Sequence, residues 1–312
     1  MKRIISSLGR RCAGLLALAT ASLMLCTALC GCPVLKPEVE NLQALMPIGE
    51  PPAEGQFVDV WGNKMFYMKA GTAKPNVVFV AGLDENVRIW RKVFDEIAEF
   101  ATVVAYDRAG VGWSAPGRNP RTASTIAQEM DAFLQEINLE PPYYLCAHSL
   151  GGLYARYYAA VYPNKVKGLL LLDTSHEDMW RRQALQLGPH QVAMAELMMG
   201  VTQAGEGILQ VGALGEYYNL ENTTNEVRNE RKIPWVPLLL LSQDLGNFER
   251  LEKDPSVPVA EVLFREFYWE QASLSPRGEW REVKNTSHFI MVDQPQEVID
   301  GMKWVIDQAA GQ

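Results

Sequence analysis

The sequence predicts an α/β fold: a mostly parallel central sheet flanked by helices, with a helical cap or lid insertion. Three observations carry this. Short β-rich runs alternate with segments of helical apolar spacing, the pattern of a parallel sheet covered on both faces. The runs Asn76–Val80 and Val166–Leu172 are almost continuously apolar, as doubly buried strands are. One stretch, 176–233, holds no clear strand and carries helical apolar positions, including Met194, Leu197, Met198 and Met199. An insertion of that size between two strands of a regular α/β domain reads as a cap.

The elements follow in order. Residues 57–60 and 64–68 form a starting hairpin turning at Gly62-Asn63. The first buried strand, 76–80, precedes a helical stretch at 90–100. A strand at 102–106 leads to a helix at 122–137. Next come a strand at 143–147, a helix at 150–161, and the strand 166–172. After the insertion, 237–241 and 280–283 are the last strands, and 296–308 is the final helix.

The first 32 residues stand outside this body. Lys2, Arg3, Arg10 and Arg11 precede an uncharged apolar run from 13 to 29, which ends in Cys30-Gly31-Cys32. This is a targeting segment. Its end resembles the lipobox of bacterial lipoproteins, which implies lipidation at Cys32. An uncleaved anchor is the alternative, since the run approaches the ~20 residues that span a bilayer. Either reading exports the body and tethers it to a membrane. Residues 33–55, with five prolines, read as a tether, leaving 56–312 as the folded domain with its insertion at about 176–233.

Composition narrows the partners. The 312-residue chain carries a formal charge of −8, and nothing basic clusters beyond the leader, so nucleic acid is not an expected partner. Four of five cysteines lie in the leader. Cys146 alone remains, in an apolar run, and reads as a core residue. Scattered histidines give no metal-ligand set, and no cofactor is implied.

The most informative stretch is Tyr143-Tyr144-Leu145-Cys146-Ala147-His148-Ser149-Leu150-Gly151-Gly152. An apolar strand runs into a serine flanked by small residues, and a helix pattern starts at once. That is the context of a nucleophile elbow. The plainer reading of Ser149 is a helix N-cap.

Three more motifs follow the order of one family: Val80-Ala81-Gly82-Leu83, Asp107-Arg108-Ala109-Gly110-Val111-Gly112-Trp113-Ser114, and Ser287-His288-Phe289 with Asp293-Gln294-Pro295. From about Gly55 onward the chain resembles an α/β-hydrolase of the serine esterase or lipase type. The resemblance implies Ser149 as nucleophile, His288 as base, and an oxyanion hole from the backbone N–H groups of Leu150 and Leu83. Alanine at 81 replaces the family's usual histidine. Asp107 and Arg108 read as a structural turn with charges satisfied locally. His148 is locked in the elbow and points away from the reacting site.

The orienting acid has two candidates. Asp173 follows the strand after the elbow, and Asp244 follows the strand after the insertion; register favours Asp173. The resemblance implies ester hydrolysis of a small-molecule substrate, with an apolar acyl group suggested by the Met and Leu content of the insertion. Amide, thioester, lactone and C–C hydrolysis use the same triad. Dehalogenase and epoxide-hydrolase chemistry needs a carboxylate where Ser149 stands. A non-catalytic binding protein of the cell envelope is the alternative of different class.

Overall fold

The computed structural model describes residues 50–186, 210–246 and 257–311. Its centre is one eight-stranded sheet in the order β1-β2-β4-β3-β5-β6-β7-β8. The strands are β1 (Gln56–Val60), β2 (Asn63–Ala70), β3 (Asn76–Val80), β4 (Thr102–Tyr106), β5 (Tyr143–His148), β6 (Val166–Leu172), β7 (Leu238–Ser242) and β8 (Gly278–Glu282). β2 pairs antiparallel with β1 and β4, and all other pairs are parallel.

The continuous apolar runs are explained by two cores, one on each face. Successive residues of a strand point to opposite faces. Val78 and Val80, Leu145 and Ala147, and Leu169 and Leu171 enter one cluster; Val77 and Phe79, Tyr144 and Cys146, and Leu170 and Leu172 enter the other. Helices α2 (Ala123–Glu136) and α3 (Gly151–Val161) cover the first face through Ile126, Met130, Phe133 and Leu153. On the second lie α1 (Phe94–Ala98) and α9 (Pro295–Ala310), through Phe94, Ile97, Val298, Met302 and Val305. Cutting one of the fully buried leucines of β6 or β7 to alanine costs about 2–5 kcal/mol in such a core.

Three expectations shift. The hairpin turn is Trp61-Gly62, because Val60 already pairs with Asn63 and both turn residues have positive φ. The stretch at 90–100 is a 3-10 turn, Val87–Trp90, followed by the short α1. A helix between the last two strands, α7 (Val257–Ala272), was not expected from the sequence. Its side chains Leu263, Phe267 and Gln271 repeat at four-residue spacing and are buried, a helical signal.

Between β6 and β7 the described residues form α4 (Met179–Gln186), α5 (Val211–Tyr218) and α6 (Leu220–Asn229), with no strand among them. Helix α5 starts by touching the loop after β4 backbone to backbone. Gly212 donates its N–H to the Gly110 carbonyl at 2.8 Å, and a Cβ on Gly212 would stand 2.4 Å from the Ala109 oxygen. Only glycine permits that approach. The residual helix α8 (Ile290–Asp293) precedes α9. The leader with Cys32, His190, and the four methionine and leucine positions 194 and 197–199 lie outside the described residues.

Candidate active site

Sheet order places the site. β3 is flanked by β4 on one side and β5 on the other, so the loops leaving β3 and β5 diverge, and ligands of open α/β sheets bind at such a point. The carboxyl ends meet directly: Val80 pairs with Ala147. Gly151, at the start of α3, lies so close to β3 that a Cβ there would stand 2.4 Å from the Val80 oxygen and 2.5 Å from the Ala81 oxygen.

Ser149 is the first of the two residues, Ser149 and Leu150, that turn the corner between β5 and α3. Its φ is 52°, a left-handed conformation that is unfavourable for a residue with a Cβ. Its backbone is held on both sides. The N–H donates to the Leu172 oxygen at 3.1 Å, and the carbonyl accepts from Gly152 at 3.0 Å and Ser175 at 3.1 Å. Asp173, the next residue past β6, is also left-handed at φ 45°, and its N–H donates to the Leu241 oxygen at 2.8 Å.

His288 lies in the loop between β8 and α8. Its Nδ1 is 2.5 Å from Oδ2 of Asp173. The other oxygen of Asp173 accepts the Tyr268 hydroxyl at 2.6 Å and the Gln243 N–H at 3.1 Å. Burial raises the Asp173 carboxyl, but the His288, Tyr268 and Gln243 contacts outweigh it and hold it below the ordinary carboxylate value. An ionised carboxylate only accepts, so Nδ1 of His288 carries the proton and Nε2 presents its lone pair. Desolvation works against the charged ring of His288; the Asp173 bond and charge, with that of Glu85, outweigh it and raise the ring above the ordinary histidine value.

Asp244 is elsewhere engaged. It accepts the N–H of Gly246 and of Asn285, each at 3.0 Å, and Lys284 Nζ at 3.3 Å. Those bonds brace the loop that leads to His288, where Asn285 takes a φ of 58°. The structure therefore pairs His288 with Asp173 and not with Asp244. His176 is engaged elsewhere as well: its Nδ1 accepts the Asp178 N–H at 3.0 Å, its Nε2 is 3.2 Å from Glu270, and burial lowers it to about 4.

His148 is fully buried behind Ser149. Its Nε2 donates to the His288 carbonyl at 2.9 Å, and its Nδ1 lies 2.9 Å from Glu85. The two imidazole rings are 4.5 Å apart, which places the His288 loop beside the elbow. Glu85 also accepts the Gly82 N–H at 2.6 Å. Burial pushes the Glu85 carboxyl up, and His148, the Gly82 N–H and the His288 charge more than reverse it, so it stays ionised.

The loop after β3 is gripped from its other side by Arg108. The guanidinium reaches the Ala81 oxygen at 2.5 Å and the Gly82 oxygen at 2.7 Å. Its charge is met by Glu216 of α5 through two bonds, at 2.7 and 2.8 Å, and both side chains are buried. This corrects the expectation of charges satisfied locally: the partner of Arg108 stands 108 positions away, in the insertion. Asp107 is satisfied in part locally, accepting the N–H of Trp113 within its own loop and that of Val87, 20 positions earlier, and burial lifts it to about 7. In the loop after β3 the Gly82 N–H is taken by Glu85; the N–H groups of Leu83 in that loop and of Leu150 after Ser149 have no acceptor among the described residues.

Sequence reasoning missed Tyr268, Glu85 and Glu216. Tyr268 sits on the unanticipated α7. Glu85 was readable only as a polar residue in a loop. Among the described residues no group of acids, histidines and cysteines has metal-holding geometry, and no helix is long and apolar enough to cross a membrane.

Comparison with known proteins agrees with this architecture. The chain is 26% identical over 231 residues to the uncharacterised protein YqjL of Bacillus subtilis, covering 74% of this chain and 83% of that one. It is 28% identical to a cis-3-alkyl-4-alkyloxetan-2-one decarboxylase of Shewanella oneidensis, covering 81% and 88% of the two chains. The enol-lactonase of Burkholderia xenovorans superposes with a TM-score of 0.57 at 17% identity, over 81% of this chain and all of that one. The family model of the alpha/beta hydrolase fold matches residues 75–283, more than half of the sequence, and the chain belongs to that family of hydrolases.

Proposed function

We propose that this protein is a serine hydrolase that cleaves carboxylic esters through Ser149, His288 and Asp173. The observation that carries the reading is the 2.5 Å Asp173–His288 contact beside a serine held in a left-handed corner. A serine hydroxyl is a weak nucleophile until a base within reach takes its proton and a third group orients that base. With Nδ1–H committed to Asp173, Nε2 of His288 accepts the Ser149 proton as Oγ attacks the acyl carbon. The tetrahedral oxygen then forms, stabilised by the N–H groups of Leu83 and Leu150, the second at a helix N-terminus. Collapse expels the alcohol, protonated by His288. Water, activated by the same ring, hydrolyses the acyl-enzyme.

The substrate is a small ester with an apolar acyl group, and the β6–β7 insertion acts as the cap over it. The leader exports the domain and Cys32 tethers it to the membrane as a lipid-bearing residue; intact-mass measurement of the membrane-extracted protein gives the lipidated cysteine as its first residue if so. The central test is a fluorophosphonate probe. The wild type is expected to label and to hydrolyse short p-nitrophenyl esters, and Ser149→Ala to do neither. A wild type that takes no label is a non-catalytic member of the fold, and the proposal fails.

A further inference from the structure

We propose that Arg108 is a positioning residue that sets the direction of the oxyanion-hole peptide, and that the insertion helix α5 holds it in place through Glu216; this rests on the serine-hydrolase reading above. The Gly82 carbonyl and the Leu83 N–H belong to the same peptide, which is trans. In a trans peptide the two groups point in opposite directions. Arg108 Nη2 binds that carbonyl at 2.7 Å, so the Leu83 N–H points away from the guanidinium.

The preceding plane is held at both ends. Its carbonyl, on Ala81, accepts from Arg108 Nη1, and its N–H, on Gly82, donates to Glu85. A clamp is needed here because Gly82 has no side chain to restrict rotation of the peptide that follows it. A half-turn of that peptide would aim the Gly82 carbonyl where the N–H of Leu83 now points, and a carbonyl dipole there repels a developing oxyanion.

Arg108 cannot hold this position alone. It is 1% exposed, and a buried guanidinium without a carboxylate is strongly unfavourable. Glu216 supplies the carboxylate in a two-pronged contact that uses the fork geometry of the guanidinium. Glu216 also accepts the Tyr154 hydroxyl from α3 at 3.3 Å, so the helix that starts at the nucleophile shares the anchor. A second strap lies on the far side of Leu83. Gln210, just before α5, donates its backbone and side-chain N–H groups to Asp84 at 3.2 and 3.0 Å. The insertion thus brackets Leu83 on both flanks. A seated α5 and a competent oxyanion hole are one condition.

The test uses the full chain, p-nitrophenyl butyrate as substrate, and phenylboronic acid as a mimic of the tetrahedral intermediate. Arg108→Lys keeps a cation for Glu216 but reaches as a point charge, without the fork that spans two carbonyls. Loss of one oxyanion donor lowers kcat by about 10²-fold. Arg108→Lys is therefore expected to lose kcat on that scale, with KM unchanged and phenylboronic acid affinity falling in the same proportion. Glu216→Gln is expected to move the same quantities in the same direction by about 10-fold, since the fork keeps one neutral acceptor. A plain structural ion pair would lower the melting temperature and leave kcat and boronate affinity of the folded protein alone.

An Arg108→Lys protein that folds and keeps wild-type kcat overturns the proposal, as does one that loses kcat with boronate affinity intact. If Arg108→Lys does not fold, Glu216→Gln decides by the same two readouts. A wild type that takes no fluorophosphonate overturns the underlying reading; a labelling wild type beside an unaffected variant overturns this inference alone.

Discussion

The two halves of the site are built in different ways. On the proposed base side, Asp173 hangs from the sheet itself and holds His288 in the loop after β8. Asp173 is the first residue past β6, its N–H is pinned to β7, and its second oxygen is fixed by Tyr268. The proposed oxyanion side is a loop whose peptides are held by buried charged side chains: Glu85, three residues past Gly82 and bonded to His148, and Arg108, paired with Glu216 from far along the chain. One half gets its geometry chiefly from strand register, the other from hydrogen bonds of buried charged side chains. Register survives most single substitutions, because the hydrophobic pattern of the whole strand sets it. A buried charged contact fails when either partner is lost.

The largest break on the base side is Asp173→Asn. It keeps the shape and offers Nδ1 a partner of the wrong polarity, and a change of this kind costs about 10⁴-fold in kcat. It also removes the strongest influence raising His288. The wild-type acid limb of kcat/KM is expected above the ordinary histidine value of about 6.5. In the variant the limb moves to lower pH, and a pH–rate profile of the residual activity reads it. A limb that stays in place would show that Asp173 does not face the reacting histidine.

Glu85→Gln probes the other side. Gln accepts the Gly82 N–H but gives His148 no charge. Loss of a charge-assisted bond costs about 1.5–3 kcal/mol, so the urea midpoint is expected to fall accordingly while Asp173 and His288 stay paired. Asp244→Asn is the smallest. Asp244 braces the loop through backbone N–H groups, and its ion pair with the exposed Lys284 contributes about 0–1 kcal/mol. Activity is expected to stay near wild type in a steady-state assay. A loss matching that of Asp173→Asn would reverse their assignment.

The same division decided what could be read in advance. The succession of strands along the chain, the corner at Ser149 and the buried runs were legible, because apolar runs, 3.6 patterns and small-residue positions are properties of adjacent residues. The preference for Asp173 over Asp244 was a matter of counting residues past a strand, and the structure pairs Asp173 with the histidine. Glu216 was not legible as the partner of Arg108, since no local pattern marks a glutamate that packs against a loop 108 positions earlier. Tyr268 was hidden for a related reason: its helix mixes charged residues with a narrow buried stripe, and the stripe only gains meaning once Leu263, Phe267 and Gln271 are seen to face the body.

The contact between Gly110 and Gly212 has a consequence for protein engineering. Gly212 and Glu216 are four residues apart on α5 and so lie on one face of the helix. The first lets the helix backbone touch the core domain, and the second delivers the carboxylate at the depth that this touch allows. A chimaera that swaps in a foreign insertion to change substrate range must bring both, a glycine and a carboxylate at i and i+4, in that order. Without the pair, the transplanted segment will sit a side chain too high, whatever pocket it carries.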